Sequence, residues 1–356
     1  MMDDALKALR ARIDGIDDAI LQLVSERAGI AQQVGHTKKG EKIYRPEREA
    51  QIVRRLRENN PGPLSGEVIE RLIREIISSC RALEQATRVA YLGPAGTFSQ
   101  QAVHKHFGHE AEALAEADID ACFHAVETGR ADFAVVPVEN STEGAIARTL
   151  DLIVSSPLKI CSEVMLPIHQ MLMRKHAGLE GVARIYGHAQ SLAQCQLWLN
   201  RHLPKAERIS VVSNSDGAVR AAADPDAVTL GSVAAAELYG LTVVEARIED
   251  ELSNTTRFLV LGKTDAAPSG RDKTSLVMGA RNQPGAIVKL LQPLADAGIS
   301  MSKLESRPAR GSNWEYLFFV VCNGHREDPE MIAALAEIET RAAFLKVLGS
   351  YPAASA

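Results

Sequence analysis

Several things are scarce in this 356-residue chain, and each scarcity excludes something. Its five cysteines, at 80, 122, 161, 195 and 322, are odd in number, scattered and never spaced as CxxC. That argues against a disulfide framework and for reduced thiols in a cytosol. There is no basic surplus: 40 Lys+Arg stand against 45 Asp+Glu, a net charge of −5. Nucleic acid or an anionic membrane is therefore not expected as the main partner. No apolar run approaches the roughly 18 residues a membrane span needs, and Leu317 to Cys322 is too short. The N-terminus has neither the basic start nor the apolar block of a signal peptide. His104, His106 and His109 complete no familiar ligand spacing. On a continuous helix 104 and 106 diverge and only 106 and 109 share a face, so no metal is expected. What is present is ordinary globular composition, 46% apolar and 24% charged, at a length that suits two or three domains. A soluble, intracellular, multidomain protein is expected.

Composition divides the chain into three blocks. Residues 1–87 hold no Phe or Trp and one Tyr, Tyr44, and read as a helical module built on Leu, Ile, Val and Ala. In it Leu6, Leu9, Ile13, Ile16, Ile20, Leu23, Arg27, Ile30 and Val34 recur at steps of three and four. This is a heptad-like seam long enough to pair with another helix. Arg27 stands where an apolar residue is due, and a charge facing into a seam is costly unless an anion meets it. A second helix is predicted from Pro46, carrying Arg48 and Glu49, to Asn59. A third begins after a Ser65 cap, with Ile69, Ile73, Ile76, Cys80, Leu83 and Glu84 on or beside its inner face. Two readings of the charges stay open here, an internal Arg–Glu network and a dianion pocket inside a helical dimer.

The stretches LRARID (9–14), SERAGIA (25–31), HTK (36–38), RPERE (45–49) and SCRALEQ (79–85) resemble the all-helical type of chorismate mutase. They are fused to the second block as in bifunctional mutase–dehydratases. The resemblance implies an intertwined dimer in which Arg10 reaches across from the partner subunit. It implies further that Arg27, Arg48 and Arg10 grip carboxylates, that Lys38 donates to the ether oxygen, and that Glu49 accepts from the substrate hydroxyl. The rearrangement is intramolecular, so it needs conformational trapping and charge stabilisation rather than a nucleophile or a metal. Three positions depart from the family pattern. An acidic position is Arg45 here, a pocket Ser is Cys80, and the second ether-oxygen donor, often Gln, falls on Glu84. A carboxylate donates a hydrogen bond only when protonated, so mutase turnover is expected to improve as pH falls, provided Glu84 rather than Gln85 faces the pocket.

Residues 88–264 alternate short β-branched runs, polar Gly-containing turns and Ala-rich helices, the grammar of a βα fold whose loops collect around one crevice. The turn after the first strand is neither GxGxxG nor GxxxxGK[ST], so it is no nucleotide loop, and no cofactor is expected. Its free N–H groups at a helix start suit a carboxylate. The motifs GPAGTFS (93–99), VVPVENSTEG (135–144), GHAQ (187–190) and NTTRF (254–258) resemble prephenate dehydratases. That resemblance implies two βα lobes with a hinge, like a solute-binding protein, and points to Thr256 as the residue tied most closely to catalysis. Glu139 and His188 are candidate proton relays. Asn140, Ser141, Thr142, Gln190, Ser213 and Arg257 are candidates for orienting the substrate, with Phe258 as packing or a dry wall for the ring.

After a predicted linker, Ala266 to Gly270, residues 272–350 read as βαββαβ, the split-βαβ, ferredoxin-like α+β plan. This block resembles an ACT domain, a small-molecule sensor. GAIV, that is Gly285, Ala286, Ile287 and Val288, and ESRP, that is Glu305, Ser306, Arg307 and Pro308, match its phenylalanine-binding version, which implies an effector site at a dimer interface. The expectation is a homodimer or higher homo-oligomer that takes chorismate through prephenate to phenylpyruvate under phenylalanine feedback. Two rivals remain: a dehydratase whose helical module only dimerises it, and a non-catalytic amino-acid sensor.

Overall fold

The computed structural model describes residues 2–37, 44–280, 283–308 and 316–354; Lys38 and the loop around it lie outside the described residues. The first helix, Met2–Thr37, carries the predicted seam, and that seam is uncovered within the chain. Ile13 and Ile16 are each 56% exposed, in line with Leu9 and Ile20. The helix Gly66–Ala82 packs against it and against the helix Pro46–Glu58, and is capped by the Ser65 side chain, which accepts from the Val68 N–H. Ile77, Ser78, Cys80 and Arg81 form the buried face of this third helix. Leu83, placed on that face from the sequence, is exposed instead, because the helix ends at Ala82.

Two lobes come next. The first is a mixed sheet with Glu112–Glu116, Arg88–Leu92, Phe133–Asn140, Thr255–Gly262 and Lys159–Pro167 side by side. The second has Thr242–Glu245, Met171–Arg174, Ala227–Gly231, Arg184–His188 and Glu207–Val211. The chain crosses to the second lobe after Pro167 and returns along Thr255–Gly262, so the lobes share two hinge strands. A third sheet orders Met301–Pro308, Tyr316–Asn323, Asp272–Ala280 and Phe344–Pro352. Helices Ala286–Asp296 and Pro329–Arg341 cover one of its faces around Leu276, Met278, Val320 and Cys322. Its other face sends Val277, Phe319, Leu348 and Tyr351 into the core of the first lobe. Gly349 is required there, since a Cβ would overlap the Ile160 backbone. The segment read as a linker is tied down: His325 Nε2 hydrogen-bonds the Ala266 carbonyl, and Ser269 donates to Asp272 from both its N–H and its hydroxyl.

Tyr44, the single aromatic residue of the helical module, is buried in the first lobe. It packs among Phe107 and Phe133, and its hydroxyl is 2.5 Å from His106 Nε2. Burial, with Arg74 and Arg81 nearby, pushes the His106 pKa well below the ordinary histidine value, which keeps that ring neutral. The expected pairing of 106 with 109 does not form. The helix Phe98–Phe107 ends, Gly108 turns the chain at φ +77°, and His109 stacks on His104 instead.

Candidate active sites

Between the lobes lies a cleft of about 1080 Å³. The helix starts at Phe98 and Asn214 open onto it, each presenting N–H groups suited to a carboxylate. The GPAGTFS turn crosses between the lobes. Gly96 sits at φ +83°, and its carbonyl accepts from Ser232 of the second lobe at 2.7 Å.

At the strand ends, Thr256 pairs in register with Asn140. Asn140 Nδ2 donates to Thr256 Oγ1 at 2.9 Å and to Asn254 Oδ1 at 2.8 Å. Asn140 Oδ1 in turn accepts from the Thr142 N–H and hydroxyl at 3.0 and 2.6 Å. Ser141 accepts from the Thr255 N–H and braces Asn254. Ser141 and Thr142 therefore hold the loop while Asn140 and Thr256 line the cleft. Since Thr256 Oγ1 accepts from Asn140, its own proton remains available for a bound group. Asn254 Nδ2 is buried without a partner among the described residues.

From the second lobe, His188, Gln190 and Ser213 also line the cleft. The His188 N–H donates to Asn214, the Ser213 hydroxyl caps the helix by accepting from the Asp216 N–H, and Ser191 accepts from Gln170 and Asn214. The sequence reading missed Asn254, Gln170, Asn214 and Arg220. Asn254 stands inside a quoted motif and Asn214 in the polar turn that follows Ser213; nothing local marks Gln170 or Arg220. Arg220, paired with Asp216 at 3.1 Å, is the one Lys or Arg among the described lining residues.

Three candidates lie elsewhere. Side chains alternate along a strand, so with Thr256 in the cleft its neighbour Arg257 faces the other side. There Arg257 donates to Glu163 at 2.8 Å and to the Tyr351 hydroxyl at 2.9 Å. Glu139 alternates with Asn140 in the same way and meets Lys303 Nζ of the third sheet at 2.7 Å. Phe258 is packed in the lobe core beside Tyr91, Phe107 and Val164. None of the three lines the cleft.

In the helical module the remaining charges converge. Arg27 Nη1 is buried with no partner among the described residues. The Glu49 carboxylate is close enough to feel Arg27 and forms an ion pair with Arg81 at 2.5 Å, a partner the sequence reading overlooked. Burial raises the Glu49 pKa, with Arg81, Arg74 and Arg27 opposing the rise. Glu84 is half-buried against the first helix, where a Cβ at Gly35 would overlap its carboxylate, and Gln85 is exposed. Cys80 is buried. Arg10 is exposed beside the uncovered seam, Arg48 is exposed, and Arg45 occupies the N-cap position of the second helix.

In the third block Glu305 and Arg307 face the first lobe. Lys303 bridges Glu139 and Glu305 at 2.7 and 3.3 Å, and Arg307 meets Asp151 at 3.5 Å. Gly285, at φ +75°, opens the helix that covers the opposite face, with Val288 exposed. Strands Asp272–Ala280 and Met301–Pro308 are both antiparallel to Tyr316–Asn323. They therefore run the same way, and the GAIV helix start and the ESRP strand end share one rim of the sheet.

The chain is similar to known proteins along its whole length. Residues 9–85 match chorismate mutase type II, residues 89–266 prephenate dehydratase, and residues 274–340 the ACT domain. A bifunctional chorismate mutase/prephenate dehydratase of Neisseria gonorrhoeae is 51% identical over 99% of this chain and 98% of that protein. A solved prephenate dehydratase from Arthrobacter aurescens, in complex with L-Phe, is 31% identical with a TM-score of 0.69, covering 75% of this chain and 90% of that one. GqqA, described as a novel type of quorum quenching acylase, is 28% identical with a TM-score of 0.69, covering 75% of this chain and 98% of its own. With three domain matches in this order and a relative at this identity end to end, the chain belongs to the bifunctional chorismate mutase/prephenate dehydratases that carry a C-terminal ACT domain.

Proposed function

We propose that this chain, as a cytoplasmic homodimer or higher homo-oligomer, rearranges chorismate to prephenate among its first three helices. It then converts prephenate to phenylpyruvate in the cleft, under feedback by phenylalanine at the third sheet. The units we assign are 1–87, 88–264 and 272–350. The observation that carries the dehydratase reading is the Thr256 hydroxyl, anchored by Asn140 and with no acceptor for its proton among the described residues. As the ring carboxylate leaves as carbon dioxide, its bonding electrons enter the ring and expel hydroxide from the opposite carbon. A hydrogen bond from Thr256 stabilises the charge on that departing oxygen. The two helix starts and Arg220 suit the carboxylates. His188 is the proposed relay, since Glu139 is engaged by Lys303.

For the mutase, Arg27 supplies a buried cation awaiting an anion, and the uncovered seam suits a second copy that would bring Arg10. Lys38, Arg48 and Cys80 keep their proposed contacts, with Arg45 at the pocket edge. Glu84→Gln, which puts an amide donor where a carboxylate can only accept, is expected to raise mutase kcat/KM near pH 8 by about tenfold. Stopped-assay pH profiles of the two proteins check this, and superimposable profiles would contradict the role of Glu84.

Regulation is read from Lys303. It ties the effector strand to Glu139, the residue next to the Asn140 that anchors Thr256. An effector that recruits Glu305 or Arg307 alters this bridge and so biases the cleft. Lys303→Met is expected to weaken phenylalanine inhibition by about tenfold or more while phenylalanine still binds by calorimetry. Undiminished inhibition would remove Lys303 from the path. The whole reading is tested by product analysis from chorismate and from prephenate, each with and without phenylalanine. Phenylpyruvate from both, suppressed by phenylalanine, supports it; turnover of prephenate alone reduces the helices to a dimerisation arm.

A further inference from the structure

We infer that Arg81 is a positioning residue of the mutase reaction, holding the Glu49 carboxylate in place as an acceptor beside Arg27 while the dehydratase domain braces it from behind. The inference rests on the mutase reading above, and its geometry joins two domains. Arg81 is 6% exposed on the third helix. Its Nη1 meets Glu49 Oε1 at 2.5 Å, and its Nη2 donates to the Phe107 carbonyl at 2.8 Å. The guanidinium carbon lies 5.3 Å from the Tyr44 ring centre and 5.7 Å from that of Phe107. One planar fork is thus fixed on three sides, which an ammonium cannot match. Phe107 ends the helix that begins at Phe98 in the dehydratase cleft, so a single ten-residue rod reaches from one proposed site to the support of the other.

The charged and titratable groups around Glu49 include Arg27 from the first helix, Arg74 and Arg81 from the third, and Tyr44 from the segment before the second, while Arg54, Arg57, Glu58, Glu163 and Arg271 line a cavity with it. His106, from the dehydratase side, is held neutral and hydrogen-bonded to Tyr44. Arg81 heads the opposing charges, and burial pulls the carboxyl toward its neutral form, which cannot serve as an anionic acceptor. Removing Arg81 takes away the foremost opposing charge, so burial raises the Glu49 pKa further. The acid limb of the mutase profile, along which activity rises as Glu49 ionises, must then move to higher pH.

The test compares wild type, Arg81→Met, Arg81→Lys and Glu49→Gln as full-length proteins, with mutase kcat/KM measured from about pH 5 to 9 and dehydratase turnover alongside. Arg81→Met is expected to lose mutase kcat/KM by about ten- to a hundredfold at neutral pH, with an acid limb displaced upward and partial recovery toward alkaline pH. Arg81→Lys, which keeps the charge, is expected to fall between, and it decides the matter by its limb if the Met variant does not fold. A limb at the wild-type position in a folded variant, whatever the loss of rate, overturns the assignment while leaving the mutase reading intact. Unaltered mutase turnover in Glu49→Gln overturns the pocket reading itself and this inference with it.

Discussion

Thr256→Ala is expected to lower prephenate turnover by about 10²–10⁴-fold while prephenate binding changes only by about threefold. The asymmetry comes from where the hydroxyl sits. Its oxygen is occupied by Asn140, so what it offers a ligand is one hydrogen-bond donor, and that donor gains most when the leaving oxygen becomes negative. On the proposed reading the carboxylates bind elsewhere, at the helix starts and near Arg220, so ground-state affinity is expected to survive the substitution. Truncating one buried β-branched residue to Ala costs stability on the order of 1–2 kcal/mol, not enough to unfold a domain of this size. Thr256→Ser, which keeps the hydroxyl, is expected to recover a large part of the rate. Equal losses in Ala and Ser variants, or a binding loss matching the rate loss, would point to packing instead.

Arg27→Met carries the second large effect. Mutase kcat/KM is expected to fall by about 10²–10⁴-fold, since each charge-assisted hydrogen bond to a carboxylate contributes roughly 1.5–3 kcal/mol and two are lost. Stability should move the other way. In the free protein Arg27 Nη1 is a buried donor without a partner among the described residues, so replacing it with an apolar side chain removes a desolvation cost. A thermal midpoint equal to or above wild type, together with lost mutase activity and intact dehydratase activity, is the signature of a residue kept for its ligand. A lowered midpoint with a modest activity loss would restore the reading of an internal Arg–Glu network.

These expectations show which parts of the molecule are legible from its residues. The first helix declares itself by three-and-four spacing, and the polar loops at strand ends are marked by their Gly, Ser and Asn content. Facing was harder. The strand Thr255–Gly262 is covered on both sides, with every residue after Thr255 buried, so it shows no alternation to reveal which side chains meet the cleft. Arg257 and Glu139 therefore read as site residues from their place in a motif, although the two-residue period turns them toward the third sheet. Tyr44 and Arg81 were opaque for another reason. Their partners, His106 and Phe107, come from a different domain, and a long-range contact leaves no periodic trace. His109 was misplaced by a single glycine, because Gly108 ends the helix on which the spacing argument depended.

We propose that two chemically independent sites share this chain and that prephenate leaves the first before it enters the second. Mixing Thr256→Ala protein with Arg27→Met protein and supplying chorismate tests it most directly. The first should accumulate prephenate, the second should leave chorismate untouched, and the mixture should form phenylpyruvate at a rate set by the slower active site. A mixture that makes no phenylpyruvate, although each variant keeps its remaining activity, would contradict the account.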